Sequence, residues 1–274
     1  MSSKIIYQSK YRPEIDGLRA FAIIAVIINH FNKDFLPSGY LGVDIFFVIS
    51  GYVITSSLAK RESKNFFDFI IGFYERRIKR LIPELALCVT ITSIVIHLFI
   101  QNAGTYYLTG ALSLFGISNL YIFSSIGDYW GFEASMNPFT NTWSLGVEEQ
   151  FYFLFPFLVW FSGFGKKVNN GRKNFFIWVS LLTLVSLSSF IYQNLTNPFN
   201  AYFLMPNRFW EIAIGCLTHI IFSKQIKIIK TLEKIPPLTI FAAIISLMFL
   251  PITTIIPSII STVLLTSILL ICLN

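Results

Sequence analysis

The 274-residue chain is 54% apolar, has only 13% charged residues and a mean hydropathy of +0.66, which excludes an ordinary soluble domain and points to a helical membrane protein. Its formal charge of +7 does not call for nucleic acid, because the basic residues gather in short loops between apolar runs, as cytoplasmic loops do. Cys88, Cys216 and Cys272 stand singly in apolar runs, so no CxxC, metal-ligand spacing or disulfide framework can be read, and packing is their expected role.

Residues 1 to 15 are a polar, basic lead. The first span, DGLRAFAIIAVIINH, opens at Asp16 and ends near Phe31. It has no small-residue cleavage site after it, so it reads as a retained span rather than a removed signal peptide. It carries Arg19 and His30, eleven residues apart, which places them within roughly 20° on one face and about 16 Å apart along the axis. A charge in the hydrocarbon costs on the order of 3 kcal/mol or more, so such residues usually line a polar interior. The plainer alternative is that each snorkels to its own interface.

After a short connection, the second span runs from Gly39 to about Leu58. Asp44 is its one charge, and Gly39, Gly42 and Gly51 allow close helix approach. His30 and Asp44 each lie seven residues from Pro37, so the hairpin sets them at similar depth. Residues 59 to 83 read as an interfacial helix, with phenylalanines followed by Arg76, Arg77, Lys79 and Arg80. A third span follows from about Glu84 to Ile100. Between residues 103 and 142, TGALSLFGISNLYIFSS is apolar enough to suggest another crossing. A crossing there would put the basic loops Lys166 to Lys173 and Lys224 to Lys234 on the wrong side, so a re-entrant or interfacial segment is expected. The remaining spans are Trp143 to Phe161, Phe175 to Tyr192, Met205 to Phe222, Pro237 to Leu250 and Ile256 to Leu273. The expected fold is an all-α polytopic membrane protein with about eight transmembrane helices, its N-terminus cytoplasmic. The last span reaches Asn274 with no charged or aromatic anchor beyond it, so the chain is expected to be cut short. No separate soluble domain and no internal repeat are read.

With this topology His30, Asp44, Glu148, Glu149, Arg208 and Glu211 fall towards the outer side. A buried histidine beside a carboxylate can act as a general base; a charge-balanced network that holds helices together is the alternative. Adjacent Glu148 and Glu149 point about 100° apart, so at most one is expected to face His30. Arg208 and Glu211 are three residues apart and can pair with each other, which would account for both. Arg77 and Arg80, also three apart, suit phosphate recognition from the opposite side. Together these suggest a phosphorylated donor approached from the cytoplasm and an acceptor modified beyond the membrane. His30 is followed by Asp34 at four residues rather than five, so the soluble-acyltransferase His–Asp spacing is not met. No glycine-rich nucleotide loop and no GxSxG elbow is present. His97 and His219 are expected to be structural. A proton-coupled transporter of a glycan or lipid-linked substrate would have a similar composition, as would a non-catalytic membrane partner. Against transport stand the missing inverted repeat and broken helix pair.

YRPEIDGLRAFAIIAVIINH, GYLGVDIFFVISGYVI, FYERRIKRLIP, NTWSLGVEEQFYFLFP and, more weakly, NRFWEIAIG together resemble the acyltransferase-3 family of bacterial multi-pass membrane O-acyltransferases. The motifs follow the family's order from Tyr11 to about Gly215. The resemblance implies transfer of an acyl group, usually acetyl, from cytoplasmic acyl-CoA, a co-substrate rather than a resident cofactor. The acceptor would be a hydroxyl of an extracytoplasmic glycan or lipid-linked saccharide: lipopolysaccharide O-antigen, peptidoglycan, exopolysaccharide or a small glycoside. It further implies the bacterial inner membrane, with contact to membrane lipid, about ten spans in a complete member, and in some members a soluble SGNH-type domain. By resemblance, Arg19 and His30 take the Arg-x10-His positions, Arg77 and Arg80 the Arg-x-x-Arg positions, and Asp44 the GVDIFF aspartate. Trp143, Glu148 and Glu149 take those of the WSL-VEEQFY motif. Asn141 stands where many members have histidine. The expected roles are His30, Asp44 and Glu148 in the chemistry, Arg19, Arg77 and Arg80 along the donor path, and Trp143, Glu149, Arg208 and Glu211 in structure or the substrate path. No metal is expected.

Overall fold

The computed structural model describes residues 12–59, 61, 63–125, 136–222, 232, 234–250 and 255–273. The basic lead before Arg12 and nearly all of the loop Lys224 to Lys234 lie outside the described residues. Among those described there is no strand. The helices are α1 (Pro13–Phe31), α2 (Gly42–Ala59), α3 (Phe66–Phe99), α4 (Gly104–Ser113), α5 (Ser118–Ser125), α6 (Trp143–Phe161), α7 (Gly171–Thr196), α8 (Pro198–Phe203), α9 (Met205–Phe222), α10 (Pro237–Phe249) and α11 (Ile255–Cys272). Single 3-10 turns, Gly39–Leu41 and Thr140–Thr142, lead into α2 and α6.

Each predicted span falls on a helix. Four helical stretches among the described residues are both long and apolar enough to cross a membrane: Gly39–Ala59, Phe66–Phe99, Gly171–Thr196 and Ile255–Cys272. Helices α1, α6 and α9 have comparable length, but their charged and polar residues lower their apolarity, and α10 is only 13 residues long. A bilayer core needs about 20 apolar residues.

Two expectations for the middle of the chain meet different outcomes. The interfacial helix and the third span are one continuous helix, the 34-residue α3, about 51 Å long. Asn65 caps its start by accepting from the Asp68 amide at 2.9 Å, and the helix passes through Pro83 without a break. The basic run between its apolar halves consists of good helix formers, and Pro83 just after it does not end the helix. The segment after it is two short helices, α4 and α5, of 10 and 8 residues. Neither can span alone. They are separated at Gly116, whose φ of +68° favours glycine.

The chain divides into two compact units, with the boundary inside α2 between Ile49 and Ser50. The first unit holds α1, the start of α2, α10 and α11. Here Asn29 staples the hairpin, its amide donating to the carbonyls of Leu36 at 2.8 Å and Pro37 at 3.1 Å. Gly39 and Gly42 press against the backbone of Ala25 and Ala22, leaving no room for a Cβ. Ser38 ties the hairpin to the end of α10 through Met248 and Leu250.

The second unit holds the rest of α2 and α3 to α9. Gly51 lies against the Ile212 carbonyl of α9, a close approach that only glycine permits. Helices α7 and α9 are stitched by Ser186, which donates to the Pro206 carbonyl at 2.6 Å and accepts from the Trp210 amide at 3.0 Å. Helices α3 and α6 run antiparallel in a register that several contacts fix. Phe66 and Phe69 meet Trp160 at 5.5 and 5.3 Å. Further along, the Tyr74 hydroxyl donates to the Phe153 carbonyl at 2.7 Å.

Candidate functional site

The α3–α6 register carries Arg77 to the level of Glu148 and Glu149. Arg77 Nη2 lies 3.6 Å from Glu148 Oε1, and Arg77 Nε lies 3.6 Å from Glu149 Oε1. Its guanidinium carbon lies over the Tyr152 ring, 3.5 Å from the centroid. The Tyr152 hydroxyl in turn donates to Glu148 Oε1, one helical turn earlier. The cluster is largely shielded: the Arg77 side chain is 17% exposed and that of Glu148 7%.

This corrects the depth expected for these residues. Arg77 and Glu148 were expected towards opposite membrane faces, and they form one cluster. The expectation placed Arg77 in an interfacial helix that ended before a span beginning near Glu84. In the structure α3 is continuous, Arg77 lies well inside it, and α6 begins alongside its middle. Arg80, one turn beyond Arg77, is exposed, so the two arginines of the motif have different surroundings.

The acidic motif is pinned from its other side. Gln150 donates to the carbonyl of Gly116 at 3.1 Å and to Asn119 Oδ1 at 2.7 Å. Asn119, fully buried, donates to the Phe203 carbonyl at 3.0 Å. A Cβ on Gly146 would meet Asn119 Oδ1, so this glycine of the WSLGVEEQ stretch makes room for that amide.

A second charged group forms around α9. Arg208 Nη1 donates to Glu211 Oε1 at 2.5 Å and its Nε to the Tyr202 carbonyl at 3.2 Å. Its guanidinium sits 5.0 Å from the Tyr202 ring and 5.7 Å from those of Trp143 and Phe190. Three residues singled out separately in the sequence, Trp143, Arg208 and Glu211, thus come together. The pair is 2% and 0% exposed, so charge is held in apolar surroundings by a close partner and aromatic faces.

In the first unit, His30 lies in the last turn of α1 and is exposed. Its Nδ1 is 2.8 Å from the Val26 carbonyl. A carbonyl only accepts, so Nδ1 carries the proton of this hydrogen bond, which in the neutral ring leaves the lone pair on Nε2. Asp44 is buried in the first turn of α2. Both also suit the helix dipole, a base at a C-terminus and an acid at an N-terminus. The Arg19 guanidinium lies 5.7 Å from the Phe46 ring.

Outside the spans, Arg61 lies against Gly72 and Phe69 and donates to the Asp68 carbonyl at 2.5 Å. Burial and the neighbouring Arg76 push its pKa down, Asp68 opposing; from so high a starting value it stays charged. His219 packs edge-on to Tyr52 at 5.2 Å. Among the described residues no three His, Cys, Asp or Glu side chains converge as a metal site. Sequence reasoning missed Tyr152, Asn119 and Gln150. The available signal was a polar residue in an apolar run, and Gln150 is the clearest case.

Four helices long and apolar enough to cross a membrane, with arginine–carboxylate clusters buried in the second unit, fit the class of helical membrane proteins. The chain belongs to the family described as Acyltransferase domain (Acyl_transf_3), whose model matches residues 12–274. It is 36% identical over 219 residues to "O-acetyltransferase OatA" of Staphylococcus aureus, covering 77% of this chain and 35% of that protein. It is 35% identical over 215 residues to "Peptidoglycan O-acetyltransferase OatA" of Listeria monocytogenes, covering 77% of this chain and 34% of that one. The chain therefore spans about a third of the length of these curated relatives. No solved structure matches it.

Proposed function

We propose that this chain is the membrane-embedded part of an O-acetyltransferase that places acetyl groups on a hydroxyl of peptidoglycan in the bacterial envelope. The observation that carries this is family membership across residues 12–274, joined to relatives of which one is named for peptidoglycan O-acetylation. The same observation favours peptidoglycan over lipopolysaccharide O-antigen or exopolysaccharide, and transfer over transport. The donor in this proposal is cytoplasmic acetyl-CoA. Arg77 and Arg80 are the arginines suited to its phosphates, and Arg19 lines the path.

His30 is the group proposed to act on the acetyl transfer. As a base, Nε2 takes the proton of the acceptor hydroxyl while its oxygen attacks the thioester carbonyl. The carbon–sulfur bond breaks, and the thiolate leaves to be protonated as the thiol. As a transient carrier, the same nitrogen attacks the thioester carbonyl first and expels the thiolate. The hydroxyl oxygen then attacks the acetyl carbon, the carbon–nitrogen bond breaks, and the hydroxyl proton passes to the freed ring nitrogen. The Nδ1–H tautomer supports both versions. Asp44 and Glu148 remain the proposed carboxylates of the chemistry.

The test uses membranes holding the natural full-length protein, radiolabelled acetyl-CoA and isolation of the cell wall. Label is expected in peptidoglycan, and His30→Ala is expected to abolish it without lowering protein abundance. Transfer preserved in that variant would overturn the role of His30. Abundant wild-type protein that labels no envelope glycan would overturn the function.

A further inference from the structure

We infer that Tyr152 is the positioning residue of the Arg77–Glu148 cluster, its ring orienting the Arg77 guanidinium and its hydroxyl orienting the Glu148 carboxylate. The inference rests on the acetyltransferase reading for its kinetic consequences and on the geometry alone for the contacts.

Around residue 152 the helix reads FYFLFPF, a setting in which phenylalanine would fill the same space. Tyr152 is almost wholly buried, and a buried phenol is unfavourable unless its hydroxyl has a partner. Glu148, one turn back on α6, is that partner. The ring meanwhile supports a guanidinium that arrives from α3. At 3.6 Å, both Arg77–carboxylate contacts exceed hydrogen-bond length. Arg77 Nε and Glu149 Oε1 are buried without a hydrogen-bond partner among the described residues. The carboxylates attract Arg77 without fixing its orientation. The Tyr152 ring, its centroid 3.5 Å from the guanidinium carbon, limits where that group can sit and keeps Nη2 and Nε at the same 3.6 Å from Glu148 and Glu149.

One side chain therefore serves two groups through two separable parts. Tyr152→Phe removes the hydroxyl and keeps the platform; Tyr152→Leu removes both. In membranes of the full-length protein, with acetyl-CoA varied, Tyr152→Phe is expected to lower kcat by about tenfold, the scale of one hydrogen bond to a charged group, with the KM for acetyl-CoA near that of wild type. Tyr152→Leu is expected to raise that KM as well. Wild-type kcat in Tyr152→Phe, or the same KM in both variants, would overturn the inference. Thermal unfolding in detergent of Tyr152→Phe, Glu148→Gln and the double variant judges the contact without any transfer assay. A double-variant shift smaller than the summed single shifts supports the contact, and an additive one overturns it. Wild-type protein that transfers no acetyl group overturns the proposed function and the kinetic role of Tyr152 with it, while the unfolding cycle still decides the contact.

Discussion

The two charged clusters of the second unit are built in opposite ways. Arg208 and Glu211 are three residues apart on one helix, touch at 2.5 Å and sit deep among Trp143, Tyr202 and Phe190. Arg77 meets Glu148 and Glu149 from a different helix, at 3.6 Å, with part of its side chain accessible. The first is a local pair that α9 alone can form, enclosed afterwards by packing. The second exists only because α3 and α6 share a register. A tight enclosed pair serves the fold, whereas a looser long-range cluster can respond to what approaches it.

The strongest way to break this contrast is Glu211→Ala, which leaves Arg208 charged in an aromatic cage. It is expected to destabilise the protein by about 3–5 kcal/mol, while Arg208→Met with Glu211→Leu recovers most of that. Thermal unfolding in detergent reads both; an equally damaged double variant would mean that the pair does more than balance charge. Arg77→Ala comes next. It leaves two neighbouring carboxylates without their cation, at an expected cost of about 1–3 kcal/mol, and a loss as large as that of Glu211→Ala would erase the distinction between the clusters. Arg80→Ala is the mildest. Its stability is expected to stay within about 0.5 kcal/mol of wild type, while labelling of peptidoglycan weakens at low acetyl-CoA. Unchanged donor dependence would remove Arg80 from the proposed donor path.

Much of the architecture is legible in local pattern. The predicted bounds Trp143 to Phe161 and Met205 to Phe222 are those of α6 and α9, because long apolar runs bounded by polar turns leave little choice. The Arg208–Glu211 pair follows from helical spacing. The predicted break near residue 83 is absent: α3 carries Pro83 in its interior, and a change in composition from basic to apolar does not by itself end a helix. Tyr152 escaped notice for a related reason. In an apolar run, a tyrosine facing lipid and a tyrosine bridging two charges read alike.

Taken alone, the sequence determined that the protein is helical and apolar enough for membranes, which family motifs it carries, and which charges sit inside its helices. These depend on composition and on spacing along one chain, both local quantities. Only the tertiary structure decided that Arg77 belongs with Glu148, Glu149 and Tyr152, that Trp143 closes over Arg208, and that Asn119 anchors the acidic motif. Each of these depends on the register between helices, which is set by packing of side chains distant in sequence and leaves no periodic trace in either helix.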